Sequence, residues 1–531
     1  MIPDMIARDI GVVCEDPIML TSVDFSGRPF HFIGVGGIGM SALAYVLAKR
    51  GLPVAGSDLR LSHITQRLQE HGVHIFWSQD SSNLSFFQPL NSVDVASANA
   101  SFKDDRGCVQ APSHPMLPSL PATATLPQVV CSTAIQPSNP EFQAAQDLNC
   151  PIFHRSDILA ALMHESQGIA IAGTHGKTTT SSLIGYMLWQ AGLDPTIIVG
   201  GEVNAWQGNA RVGQSNYLVA EADESDGSLV KFKSEIGIIT NIELDHIDHY
   251  NSLDEVVETF KTFAAHCKTL IGCVDCPTVR DRLQPKISYS LHPDRDATYT
   301  VDCVSYRADG TTARVWEKGA ILGRLNLKLL GQHNLSNALA AVAVGRLLGL
   351  DFLTIARSIS TFEGARRRME RRGEFNNILF IDDYAHHPSE IQVTLAAARL
   401  QLQDAAISGR KRLVAVFQPH RYSRTKAFLP EFATSFADAD LVVLSDIYSA
   451  GEAKPDDISG EAVAALVAEH HNNVFYRSSL PSISQLLTEM LVPGDLVLFL
   501  GAGNLNQTIP EVMAFYQGVE QALAQEWRSH A

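Results

Sequence analysis

The stretch Gly173-Thr174-His175-Gly176-Lys177-Thr178-Thr179-Thr180 lies between an apolar run, Ile169-Ala170-Ile171-Ala172, and a helix-like run from Ser181 to Leu188. A strand that turns through glycines into a helix gathers backbone N–H groups at the helix's positive end, and such a cradle holds phosphate. Lys177 supplies charge to the terminal phosphates, and the Thr178 hydroxyl can ligate Mg²⁺. The pattern predicts a nucleoside triphosphate as ligand. Ile171 stands five residues before Gly176 where the general phosphate-loop spacing asks for glycine, so the reading rests on Gly-Lys-Thr in its strand, loop and helix setting.

At 531 residues the chain is too long for one ordinary core. We expect three domains: a Rossmann-like unit over 1–162, a central domain over 163–362 with a parallel sheet like those of phosphate-loop ATPases, and a Rossmann-like α/β domain over 363–531. A net charge of -16 argues against nucleic acid as a partner. No apolar stretch approaches the roughly 18 residues of a membrane span, so membrane insertion is not expected. Residues 1–29 lack the basic start and apolar core of a signal peptide, and the eight cysteines are scattered, as suits reduced thiols in a cytoplasmic protein.

The first domain opens with Phe30 to Ile33, then Gly34-Val35-Gly36-Gly37-Ile38-Gly39-Met40-Ser41, then a helical pattern; an acid, Asp58, follows about 20 residues on. That order predicts a helix N-terminus meeting a diphosphate and an acid meeting a ribose or base. These residues alone leave NAD and a nucleotide-diphosphate sugar equally open. Five prolines between Pro112 and Pro127, interleaved with Ser, Ala and Thr, mark 97–127 as a mobile insertion.

Past the phosphate loop, the strand-like run Tyr217 to Ala220 delivers Glu221-Ala222-Asp223-Glu224-Ser225-Asp226, and Ile236 to Thr240 delivers Asn241-Ile242-Glu243-Leu244-Asp245-His246. Acids just after parallel strands project into the cleft where Mg²⁺ and phosphate meet. Glu221 and His246, with Thr178, are the expected metal ligands; the remaining acids are expected to be solvated or capping groups. Three further clusters carry anion-binding or amide chemistry: Gln332-His333-Asn334-Leu335-Ser336-Asn337, Arg366-Arg367-Arg368 with Asp382-Asp383-Tyr384-Ala385-His386-His387-Pro388, and Gln418-Pro419-His420-Arg421-Tyr422-Ser423-Arg424.

GTHGKTTT, EADESD, TNIELDH, GQHNLSNA, FEGARRRME, DDYAHHP and QPHRYSRT, in this order over nearly the whole chain, resemble the ATP-dependent Mur ligases, and within them the branch that adds L-alanine to UDP-N-acetylmuramate. The resemblance implies a three-domain enzyme with ATP and Mg²⁺ as cofactors, acting as a monomer or weak homodimer. It turns the first domain toward a nucleotide sugar rather than NAD, held by Gly34, Gly36, Gly37, Ile38, Gly39, Ser41, Asp58, Ser132 and Thr133. It further implies ATP contacts from Gly173 to Thr179, His333, Asn334, Asn337, Arg368 and Asp383, and catalytic roles for Lys177, Glu221, His246 and Arg368. Tyr384, His386, His420, Arg421 and Arg424 would surround the amino acid. The rivals are a recycling ligase that attaches a murein peptide to the same sugar nucleotide, and a non-catalytic nucleotide-binding regulator.

Overall fold

The computed structural model describes residues 22–87, 126–403 and 412–530. Most of the proline-rich stretch 97–127, like residues 1–21, lies outside the described residues.

The first sheet contains β1 (Phe30–Ile33), β2 (Val54–Ser57), β3 (His74–Phe76), β4 (Gln128–Cys131) and β5 (Ile152–His154), in the order β3-β2-β1-β4-β5. All its pairings are parallel. Phe30 and Phe32 pack into one core and Ile33 into another on the opposite face, as in a parallel strand with both faces covered. Strand order reverses between β1 and β4, which opens a crevice above Gly34 to Gly37.

The central sheet runs β15-β14-β13-β12-β11-β10-β6-β9-β7-β8. Its strands are β6 (Gln167–Ala172), β7 (Thr196–Val203), β8 (Gly208–Arg211), β9 (Tyr217–Glu221), β10 (Ser234–Ile239), β11 (Cys267–Cys273), β12 (Ile287–Tyr289), β13 (Tyr299–Arg307), β14 (Gly310–Glu317) and β15 (Ala320–Leu327). The middle is parallel, with β6 between β9 and β10. Both acidic runs therefore emerge beside the phosphate loop, one on each side. The expected parallel sheet gains antiparallel ends: β8 folds back on β7, and β13, β14 and β15 form a meander. Lys318 (φ 49°) and Gly319 (φ 79°) make the last turn, the mirror-image type whose twist suits a tight hairpin.

The third sheet has the order β16-β17-β21-β18-β19-β20. It is built from β16 (Glu370–Phe375), β17 (Ile378–Asp383), β18 (Arg412–Phe417), β19 (Leu441–Leu444), β20 (Val474–Tyr476) and β21 (Asp495–Leu500). Only the β16 pairing is antiparallel, through a turn at Asn376 and Asn377, φ 50° and 57°. Ile378 to Ile381 are all buried, each worth about 2 kcal/mol of transfer free energy. That anchors the strand whose carboxyl end delivers Asp383 and Tyr384. Among the described residues, no helix is long and apolar enough to cross a membrane.

Candidate active site

The phosphate loop is held from both sides. Gly173 (φ 136°) and Gly176 (φ 83°) adopt angles that L side chains rarely take. A Cβ on Gly176 would sit 2.9 Å from Asn337 Oδ1. The segment after β10 fixes the loop's course: the His175 amide donates to Asn241 Oδ1 (2.8 Å), and Thr240 Oγ1 donates to the His175 carbonyl (2.7 Å). The helix Lys177–Gln190 then begins with Thr178 and Thr179 buried in its first turn. Lys177 Nζ turns back to donate to the Gly173 carbonyl (2.7 Å) and to both oxygens of Glu224 (2.8 and 2.9 Å). Burial alone would lower its pKa, but the carboxylates of Glu224, Asp223 and Glu221 outweigh that and raise it, so the ammonium stays charged.

Potential ligand atoms of Asp223, Glu224 and His246 lie within 4.8 Å of one another. His246 holds φ 52°, a conformation uncommon for non-glycine residues and concentrated at functional positions. Its Nε2 is 3.8 Å from Glu224 Oε1. Burial, with help from Lys177, depresses its pKa and leaves the neutral imidazole that a metal requires. Two carboxylates and an imidazole beside a phosphate cradle fit a divalent cation, and the oxygen majority suits Mg²⁺. Glu221 lies outside this group, its carboxylate accepting from the Gly200 amide at 2.8 Å. The expectation that the other acids are solvated or capping groups fails for Glu224, 1% exposed, and for Asp245, 5% exposed.

His333, Asn334, Asn337, Arg368 and Asp383 line one pocket with His175, Gly176 and Thr179, so four segments from two domains meet there. Asn334 Nδ2 donates to the Leu330 carbonyl (2.8 Å), and Asn337 Nδ2 donates to Asn334 Oδ1 (3.3 Å), which turns both amides toward the loop. His333 is driven down to about 4 by burial and then by Arg368. Burial lifts Asp383 to about 6 against the pull of Arg368, while the amides of Met369 and Ala385 hold its carboxylate at 2.7 and 2.8 Å.

Tyr384, His386, His420 and Arg424 also converge. The His386 and His420 rings are 5.8 Å apart, and Arg367 and Arg368 lie over the Tyr384 ring. Arg424 donates Nε–H (3.0 Å) and an Nη2 hydrogen (2.9 Å) to Asp245 Oδ1 across the domain interface, and its Nη1 lies 3.4 Å from His420 Nδ1. Arg421 (φ 67°) also crosses the interface, by a single contact of Nη1 with Asp248 Oδ2 between partly exposed side chains. Burial keeps His386 and His420 neutral, near 4 and 3.

Three family regions match the chain in this order: the Mur ligase family, catalytic domain, over 29–167; the Mur ligase middle domain over 171–345; and the Mur ligase, glutamate ligase domain, over 367–503. The UDP-N-acetylmuramate--L-alanine ligase of Nostoc punctiforme is 64% identical over 94% of this chain and 98% of its own. The chain belongs to the Mur ligase family. The same-named protein of Nostoc sp. is 63% identical over 93% of this chain and 98% of its own. The crystal structure of UDP-N-acetylmuramate-alanine ligase from Thermotoga maritima aligns with a TM-score of 0.73 at 26% identity, covering 93% of this chain and all of that one.

In this Mur ligase the glycine turn of the first domain is tied to its acid: the Gly36 amide donates to Asp58 Oδ2 (2.8 Å), and the Arg60 amide donates to Oδ1 (3.0 Å). Gly34 (φ 78°) starts the turn, and Gly37 caps the helix Ile38–Lys49 without a side-chain bond. Gly39 faces Arg155. Ser41 is buried and accepts from Asn209 Nδ2 of the central domain (2.9 Å), so its hydroxyl serves the domain junction. Ser132 and Thr133 follow β4 at the open edge of the same crevice. Arg155 pairs with Asp223 at 2.8 Å, joining the first domain to the cation group.

The sequence reading missed Asp223, Glu224, Asp245, His387, Ser389 and Glu390. Each follows a strand's carboxyl end within a polar run, and that placement was the available signal. What singles them out is contact with a partner from another segment, which spacing does not encode.

Proposed function

We propose that this chain joins the lactyl carboxylate of UDP-N-acetylmuramate to the amine of L-alanine, with conversion of ATP to ADP and phosphate, as a step of peptidoglycan precursor synthesis. The observation that carries this reading is the facing of two half-sites across one cleft. The phosphate loop and the Glu224–His246 group come from the central domain, and Arg424, His386 and His420 come from the third. The relatives at 64% and 63% identity bear the alanine-adding name, which favours alanine over a murein peptide as acceptor.

ATP would lie along the pocket between Gly176 and Asp383, and the sugar nucleotide would extend from the Gly34–Gly39 turn toward Arg155. A carboxylate oxygen attacks the γ-phosphorus, the bond to the β-phosphate oxygen breaks, and ADP leaves. Lys177, released from Glu224 onto phosphate, neutralises the charge that develops. Mg²⁺ held by Asp223, Glu224, His246 and Thr178 would screen the same oxygens, and Glu221 stands close by. The acyl phosphate is then attacked by the alanine amine; its C–O bond to phosphate breaks, the proton shed by nitrogen leaves with the phosphate, and the amide remains. Asp245 Oδ1 takes the Nε and Nη2 side of the Arg424 guanidinium, and Nη1 would turn from its long 3.4 Å contact with His420 Nδ1 to the amino-acid carboxylate. The neutral imidazole of His386, whose Nδ1 donates to the Tyr384 carbonyl, offers Nε2 to the amine without repelling a cation.

Phosphate release should require both UDP-N-acetylmuramate and L-alanine when glycine, L-serine and a murein tripeptide are assayed beside it. Preference for the tripeptide would move the chain to the recycling branch. ATP binding with no release under any combination would leave a nucleotide-binding regulator.

A further inference from the structure

A second cluster of ligand-type side chains lies on the other side of the phosphate loop from Glu224. It draws on His175 of the loop, Glu243 of the segment after β10, and His387 and Ser389 at the start of the third domain's helix Pro388–Gln403. Ligand atoms of His175, Glu243 and His387 lie within 4.8 Å of one another. The separations are 3.3 Å for His175 Nε2 to Glu243 Oε2, 3.2 Å for the same nitrogen to Ser389 Oγ, 3.1 Å for Ser389 Oγ to Glu243 Oε2, and 2.8 Å for Ser389 Oγ to His387 Nδ1. A tetrahedral ion with bonds of about 2.0–2.1 Å holds its ligands about 3.3 Å apart. The spacing among His175 Nε2, Glu243 Oε2 and Ser389 Oγ is close to that value, and His387 lies within 4.8 Å of the first two.

Two further observations point the same way. His387 is 6% exposed; its Nδ1 lies against Ser389 in the cluster, and its buried Nε2 has no hydrogen-bond partner, so hydrogen bonds leave the ring with one nitrogen unused. His175 Nδ1 donates to Glu390 Oε1 at 3.2 Å, the outer carboxylate contact that orients a metal-binding histidine and fixes its tautomer. Two imidazoles and one carboxylate select Zn²⁺, Co²⁺ or Ni²⁺ over Mg²⁺.

We propose that His175, Glu243 and His387 form a site for a d-block dication of the Zn²⁺ class, separate from the Mg²⁺ group, through which the ion ties the phosphate loop to the third domain and arrests turnover. On binding, the ion takes the Nε2 lone pair of His175 and that nitrogen's proton passes to solvent. With ligands from two domains, the ion favours the closed arrangement by mass action and opposes the reopening that product release requires. The site stands on this geometry whether or not the ligase reading holds.

The test is a Co²⁺ titration of the chelator-treated full chain in saturating Mg²⁺, followed by visible absorption, with phosphate release measured under Zn²⁺ in parallel. We expect one equivalent of Co²⁺ with the intense bands of a four-coordinate site. Affinity should fall in His387→Gln and in Glu243→Gln by more than the roughly hundredfold that outer contacts can carry, and stay unchanged in Glu224→Gln. Thermal melts without metal identify any variant that fails to fold, and the remaining one then carries the comparison. No four-coordinate spectrum, a titration indifferent to the folded variants, one abolished by Glu224→Gln, or turnover unaffected by bound Zn²⁺ would overturn the proposal.

Discussion

Arg424 carries a charge into a nearly dry position, with its side chain 7% exposed, because Asp245 meets it there at 6%. Burial pushes the Asp245 carboxyl up, and Arg424 more than offsets this, so the aspartate stays ionised. Such a pair contributes little net stability but fixes orientation. Asp245→Asn keeps the shape and removes the charge that aims the guanidinium. We expect the alanine KM to rise about tenfold, since a hydrogen bond to a charged group is worth about 1.5 kcal/mol or more, with the ATP KM little changed. Steady-state kinetics varying each substrate will check this; equal shifts in both would mean a general loosening. Arg424 was legible from its position after β18, but its partner was not. Asp245 and Glu243 stand two apart in one acidic run, and only the path of the loop decides which is buried.

At the scale of elements, the phosphate loop joins the start of the helix Pro388–Gln403 through His175. Burial disfavours the His175 cation, but its hydrogen bonds to Glu243 and Glu390 prevail and raise its pKa from 6.5 to about 10. A raised folded-state pKa stabilises fully below 6.5 and loses its effect as pH climbs through about 10. The Tm advantage of the native chain over His175→Asn, measured with chelator present, should therefore narrow between pH 6.5 and 10; a constant gap would mean that charge is not the cause. The strand, loop and helix of this region follow directly from sequence. The antiparallel edges do not, although Lys318-Gly319 and Asn376-Asn377 carry hairpin-turn chemistry. Their signal is local, and the apolar parallel strands dominate the pattern.

Across the whole molecule, Glu202 on β7 meets all three domains. His63 Nε2 of the first lies 2.6 Å from Oε1, while Arg366 at the start of the third donates to Oε2 (2.8 Å) and, through its amide, to the Glu202 carbonyl (2.7 Å). These side chains are partly exposed, so each pair is worth well under about 1 kcal/mol of stability. Their consequence lies in communication between domains. ATP affinity measured with and without UDP-N-acetylmuramate should differ in the native chain and converge in Glu202→Ala, with Tm nearly unchanged; a persistent difference would assign the coupling elsewhere. The central claim is that one closed cleft phosphorylates the sugar nucleotide's carboxylate and passes the acyl group to L-alanine. Its most direct test places ¹⁸O in both carboxylate oxygens of UDP-N-acetylmuramate and analyses the phosphate released during turnover. One ¹⁸O per phosphate, with the other kept in the amide, is the result this account predicts. Phosphate free of ¹⁸O would contradict it.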